Sequence, residues 1–293
     1  MYKIPIFCLL ILFAAAAFGQ ANLGISGEVD WAAMQVTSQV SLDLASAGLR
    51  LPAGRTQGET YLNAGYSNLI KSCLMEIQVD SSSVIGDLVE SGQVTLAQLE
   101  QLALGAKSVA PALTPDMRNI FTTQSISMSA ISSALLRHNR PSPIMRTLNP
   151  VSSANYTGII IIAAEELPMH GMKSAAMPVP CLFPKIWDSG MNLIFERGML
   201  EIKDTTMVKY SSLDNIFQNN PTGLSAKLRE TVGDKPLRIF ARGVFGIKPT
   251  DLIIEKDDAM LIISSEENRR LLSQGKVAFI LDDSVLNYVF AAQ

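Results

Sequence analysis

Glu165, Glu166, His170, Cys181 and Asp188 fall within one stretch, EELPMHGMKSAAMPVPCLFPKIWD, and bring together the residue types that most side-chain chemistry needs. A thiol beside a histidine base can act as a nucleophile, and the same two groups with a carboxylate can hold a zinc ion. The spacing matches neither arrangement in a recognisable form. Cys181 also stands between Pro180 and Leu182-Phe183, a setting in which a thiol packs or pairs more readily than it reacts. Glu166, His170, Cys181 and Asp188 are therefore an alternative site only, and the main reading of the chain assigns no catalytic, metal or cofactor residues.

The other reactive-looking patterns resolve in the same direction. In GKVAFILDD, residues 275 to 283, a Gly-Lys pair precedes an apolar strand and two aspartates, as at a nucleotide site. The phosphate-cradling G-x-x-x-x-G-K-[ST] is missing, because Arg270 stands five before Gly275 and Val277 follows Lys276. The stretch reads as a helix-ending glycine, a buried strand and solvated carboxylates. There are 2 histidines in all, too few for a histidine-rich metal site, and no G-x-S-x-G nucleophile turn. ENRR, residues 267 to 270, reads as a dipole-matched solvated helix face in preference to an anion site.

Composition narrows the setting. Charged residues are 17% and apolar residues 48%, and the net charge of −3 leaves no basic footprint for nucleic acid. At the start, Lys3 precedes an apolar run from Ile4 to Phe18 with small residues at Ala17 and Gly19. That run is short for a bilayer span and predicts a secretory signal over 1–19, cleaved before Gln20, with a periplasmic mature chain that has no transmembrane span. The signal's own Cys8 aside, two cysteines remain, Cys73 and Cys181. In an oxidising compartment they either close one disulfide between the halves or stay as two buried thiols.

The elements that would position these residues follow from periodicity. MQVTSQVSLDL alternates as a strand with one buried face, and TQGE with Leu62, Tyr66, Ile70, Cys73 and Leu74 predicts a helix capped by Thr56. SSSVIGDLVESG and TLAQLEQLALGAK, the latter opening with the capping spacing of Thr95 and Gln98, predict two shorter helices, and residues 120 to 132 a further strand. After the prolines at 141, 143 and 150, YTGIIIIAAEEL predicts a strand buried on both faces. Short strands follow in NLIFERGML, TTMVKYSSL, PLRIFARGVFG and DLIIEKDD, then a helix in SSEENRRLLSQG capped from Ser264 and ended by Gly275. The fold class is α+β, helices packed on mixed and antiparallel sheets in two lobes: 20–140, a linker at 141–153, and 154–293.

The strand at 120–132 carries no charge, and neither does MQVTSQVSL at 34–42. If it lies at a sheet edge, Ser125, Ser127 and Ser129 mark an assembly edge for pairing with a neighbouring subunit; if central, those residues simply face water or the helices. The partners expected are copies of the chain itself or other envelope proteins.

YTGIIIIAAEELPMHG with PCLFPKIWD downstream resembles secreted bacterial envelope proteins in which such a strand precedes a proline-rich segment and a P-x-I-x-D element. The layer from Val29-Asp30-Trp31 to Leu136 is similar to the small flagellar outer-membrane lipoprotein family, which builds a ring or disk around the flagellar basal body. PLRIFARGVFG onward to Asp283 looks like a companion C-terminal module. Here Ala163-Ala164-Glu165 replaces the usual Asp-Ala-Arg, and the lipid-attachment cysteine is absent. The resemblance implies a non-enzymatic structural or assembly protein of the envelope, associated with the flagellum.

Overall fold

The computed structural model describes residues 23–136, 138, 140–201 and 206–292, so the signal predicted over 1–19 lies outside the described residues. The chain opens with β1 (Leu23–Asp30), a turn through Trp31 to Met34, and β2 (Gln35–Asp43). On β2, Val36, Ser38, Val40 and Leu42 are buried while Gln39 faces out, as a half-buried strand requires. Met34 takes a left-handed φ of 57° in the turn, so the strand starts one residue later than its apolar alternation suggests.

Helix α1 (Gly54–Met75) buries Leu62, Tyr66, Ile70, Cys73 and Leu74 on one face. Its close fit depends on Gly58, where a Cβ would come within 3.2 Å of both Ile120 and Leu44. Thr56 does not cap it. The helix begins two residues earlier, the Thr60 hydroxyl donates to the Thr56 carbonyl, and Glu59 pairs with Arg55. Two short helices follow, α2 (Ile85–Glu90) and α3 (Leu96–Leu104), the second held by the expected reciprocal cap between Thr95 and Gln98. Two-residue strands β3 (Lys107–Ser108) and β4 (Ala112–Leu113) lead to β5 (Asn119–Ser127), and α4 (Met128–Leu135) closes the layer. The predicted strand at 120–132 therefore ends at Ser127, whose hydroxyl accepts from the Ala130 N–H and starts the helix instead.

The second half contains β6 (Ile159–Ile162), the small hairpin β7 (Leu167–Pro168) and β8 (Ala175–Ala176), β9 (Ile186–Asp188), β10 (Leu193–Phe195) and β11 (Lys209–Ser211). After α5 (Ala226–Val232) come β12 (Leu237–Phe240), β13 (Gly243–Phe245) and β14 (Asp251–Ile254). Helices α6 (Lys256–Ile263) and α7 (Glu266–Ser273), β15 (Val277–Ile280) and β16 (Asn287–Ala292) complete the chain. A parallel sheet in the order β11-β15-β6-β12 forms one layer, and a mixed sheet β10-β9-β14-β13 another. The isoleucine run is at the heart of the first. Ile159 and Ile161 enter the main core, while Ile160 packs with Leu228, Val232 and Ile280 on the other face. Burial on both faces is why it reads as continuous apolar sequence.

The fold is α+β, and the two halves form two lobes with one departure from the predicted boundaries. β16 pairs with β1, so the last strand returns to the N-terminal sheet, whose order is β16-β1-β2-β5-β3 with β4 also on β5. The main apolar core runs through both lobes, from Ile25 to Phe290, with a smaller cluster around Ile160 on the far face of the parallel sheet. Among the described residues no helix is long and apolar enough to cross a membrane.

GKVAFILDD behaves as read. Gly275 has a φ of 66°, its N–H reaches the Leu272 carbonyl, and the Lys276 N–H reaches that of Leu271, closing α7 before the fully buried β15. At the other end of α7 the cap is Ser265, not Ser264, and Asn268 is no part of a solvated face. It is 1% exposed, its amide donates to Ser153 Oγ and to the Ala154 and Leu261 carbonyls, and its oxygen accepts from the Tyr156 N–H. That one side chain fastens the end of the proline-rich linker to α6 and α7. Asn268→Ala, which leaves several of these groups buried without partners, is expected to cost about 2 to 3 kcal/mol in chemical unfolding.

Candidate functional site

The sequence's alternative site is not assembled. Glu165 and Glu166 are exposed in the turn after β6. His170 donates its backbone N–H to the Val244 carbonyl, and its ring lies edge-on to Phe245 at 5.9 Å. Asp188 is 3% exposed and spent on its own hairpin, accepting from the N–H groups of Gly190 and Asn192 and from the Asn192 amide. Among the described residues no three of His, Cys, Asp and Glu come together as a metal set.

Cys181 is fully buried beneath Tyr210, whose hydroxyl donates to the Cys181 carbonyl at 2.7 Å and accepts from its N–H at 3.0 Å. Burial pushes its thiol far above the usual range, and the nearby Asp251 carboxylate pushes the same way, which suppresses the thiolate that reactivity needs. Cys73 is a buried thiol on the core side of α1, and the two cysteines are free. The disulfide alternative therefore gives way to the packing one. A thiol reagent is expected to leave Cys181 unmodified in the native protein and to count both Cys73 and Cys181 once it is unfolded without reductant.

The predicted assembly edge is also displaced. β2 is central, and β5 pairs with it along its whole length from Asn119 to Ser127. On its far side β5 is covered by β3, with Lys107 opposite Ser125, and by β4. Ser127 caps α4, its hydroxyl 3.1 Å from that of Ser129, which lies in the helix. The long hydrogen-bonding pattern of β5 is consumed within the sheet, so Ser125, Ser127 and Ser129 present no free strand edge.

What the fold does assemble is a groove of about 710 Å³ where the lobes meet. Trp31, Met75, Ile77, Pro180, Pro249 and Tyr288 make it apolar, and Glu76 and Lys248 supply charge. Trp31 is set by edge-on packing against Tyr210 at 5.6 Å, and Tyr210 in turn packs on Phe279 at 6.0 Å. The Tyr288 hydroxyl donates to the Glu76 carboxylate at 2.9 Å, and that bond raises the phenol pKa. These side chains come from five separated segments. Only Trp31, a large residue in a turn, carries a local hint, which is why the groove escaped sequence reasoning.

The seam beneath it is held by backbone and by one acid. The N–H groups of Leu182 and Phe183 donate to the Gln78 and Val79 carbonyls, and that of Lys248 to the Ser81 carbonyl. Asp251, with no exposed surface, accepts from the Ser81 hydroxyl, the Lys185 N–H, the Trp187 indole and the Thr250 hydroxyl. Burial raises its pKa more than these donors lower it. At Asp80 the balance is reversed: burial opposes the charge, but the Ser82 and Ser83 hydroxyls and N–H groups outweigh it and hold the carboxyl below the usual value.

Comparison with known families divides the chain as the lobes do. Residues 22–134 match the family model described as Treponema pallidum Tp0624, N-terminal domain, and residues 158–283 match that of the Tp0624 second domain. The chain is thus similar to two domains of that protein, in order. No curated protein matches it. The first match ends in α4 and the second ends before β16, so the strand that ties the lobes together lies outside both.

Asp251 makes the seam sensitive to pH. Its folded-state pKa lies above the ordinary 3.8, so its contribution to stability is complete below that value and is lost as pH rises through the folded one. Urea unfolding at several pH values above 3.8 should show wild type losing stability relative to Asp251→Asn as pH increases. Parallel curves would count against the assignment.

Proposed function

We propose that the protein is a non-enzymatic structural or assembly component of the cell envelope, exported to the periplasm, which works by docking a partner at the end of its N-terminal sheet. The observation that carries this reading is the pairing of two features at Tyr288. β16 is a strand at the edge of the sheet, and the same tyrosine lines the apolar groove between the lobes. Unpaired backbone groups next to an apolar recess suit recognition of another protein chain, main-chain bonds supplying affinity and the recess specificity. The resemblance to flagellar outer-membrane proteins supports a flagellum-associated place within the envelope.

A second reading is supported by the groove's size. Pockets for small ligands run to roughly 300 to 1,000 Å³ and are mostly apolar with a few polar groups, as here. A secreted ligand-binding protein or enzyme would then draw on Val179 and Pro180, the part of the Glu165 to Asp188 loop that reaches the groove.

Deletion of the gene followed by complementation separates the two. Protein carrying Val289→Lys on the exposed edge strand should fail to restore an assembly phenotype, whereas a ligand-binding protein or enzyme using the groove, which Val289 does not line, would stay functional. Native protein should fractionate with the periplasm and begin at Gln20; intact Met1 on cytoplasmic protein would overturn the export part of the proposal.

A further inference from the structure

The two edges of the N-terminal sheet are finished differently. At one, the covering strands β3 and β4 are two residues each, carry Lys107, and are separated by a segment containing Pro111. Short length, lysine and proline are the usual means by which a soluble protein discourages a neighbour from adding a strand. At the other edge β16 has none of them. NYVFAA contains no charge and no proline, and its register with β1 runs from Asp30↔Asn287 to Ile25↔Ala292 without a bulge. Tyr288 is 50% and Val289 71% exposed. Its second side pairs with no strand among the described residues. Alternate residues of an antiparallel strand direct both N–H and C=O to that open side.

We propose that β16 pairs with β16 of a second copy of the chain, antiparallel about a two-fold axis through Val289, so that one sheet runs across a dimer. This rests on the docking reading above and names its partner. An antiparallel strand is complementary to itself under a two-fold axis: each contact is made twice and the assembly closes at two. A neutral strand brings no like charges together, and the acidic residues Glu28 and Asp30 lie one strand further in, on β1.

The register follows from which residues share a face. Phe290 lies buried over Gly27, where a Cβ would come 2.7 Å from its ring, and Tyr288, two residues earlier, is on the same face. Centring the axis on Val289 sets Tyr288 opposite Phe290 of the second copy, an aromatic cross-strand pair, on the groove side of the sheet. It also sets the two Val289 side chains together on the outer face, covering a valine that is 71% exposed in the single chain. Centring on Tyr288 would oppose Val289 to Asn287 and lose both contacts.

The test is sedimentation of the mature chain across micromolar concentrations, with two variants at the axis. Wild type is expected to be dimeric. Val289→Lys should be monomeric and still unfold in one cooperative transition, at a temperature that no longer depends on protein concentration, and Val289→Cys should form a disulfide-linked dimer on mild oxidation. A dimer that Val289→Lys leaves intact, or a cysteine variant that does not cross-link, would overturn the proposal. A monomeric wild type would also overturn it. Capture from envelope fractions then separates the levels: if Val289→Lys loses the captured partner, the edge serves a foreign strand and the docking reading stands, and if capture is unchanged that reading fails too.

Discussion

Asp251 is one of the points at which the two halves of this chain are made into one molecule, together with the return of β16 to β1. Its carboxylate has no contact with solvent, yet four donors converge on it from three segments: Ser81 in the first half, Lys185 and Trp187 at β9, and Thr250 beside it. A buried acceptor of this kind is costly unless fully bonded, so the three segments are obliged to meet in one geometry. The neighbouring backbone bonds, from Leu182 and Phe183 to the 78–79 segment, extend the same join. The groove exists because those segments are held there, with Pro180 and Pro249 on one wall and the end of α1 on the other.

The residues that looked chemically capable are absorbed by this architecture. Cys181 is sealed by Tyr210, Asp188 shapes a hairpin, and His170 packs on Phe245. Each has a structural partner that accounts for its placement, and none shares a partner with another. The functional interest of the molecule moves accordingly from side-chain chemistry to surface: an apolar recess at the lobe boundary and a strand edge beside it. That arrangement also explains the division seen in the family matches, in which each lobe corresponds to a separate domain while β16 crosses between them.

Local patterns determined a good deal. The alternation in β2, the stripe of α1, the Thr95–Gln98 cap, the doubly buried isoleucine strand and the glycine stop at Gly275 were all legible, because each depends on neighbours within a turn or a strand. The α+β class and the two lobes followed from their order. α6 was not read, because its first turn is the charged run Lys256 to Asp258, which reads as the solvated end of β14, and its apolar face, Ala259, Ile262 and Ile263, is short. The switch from strand to helix at Ser127 was hidden because Met128 continues the alternation from Ile126, and the helical spacing shows only at Ile131, three residues on.

Tertiary structure alone decided which strand is an edge, which cysteine environment exists and where a recess forms. Sequence shows that a strand is uncharged, but edge status depends on what pairs beside it, and β5 is covered by two fragments too short to be read from periodicity. Asn268 looked like one polar residue among charges, and its burial follows from the segment just after the linker, at Tyr156, meeting it across 112 residues. The return of β16 to β1 joins the two ends of the described chain, a contact of the longest possible sequence separation and so invisible to any local window. The amino-acid order specifies each element through its immediate neighbours, while the groove and the open edge are made by segments that become neighbours only when the chain has folded.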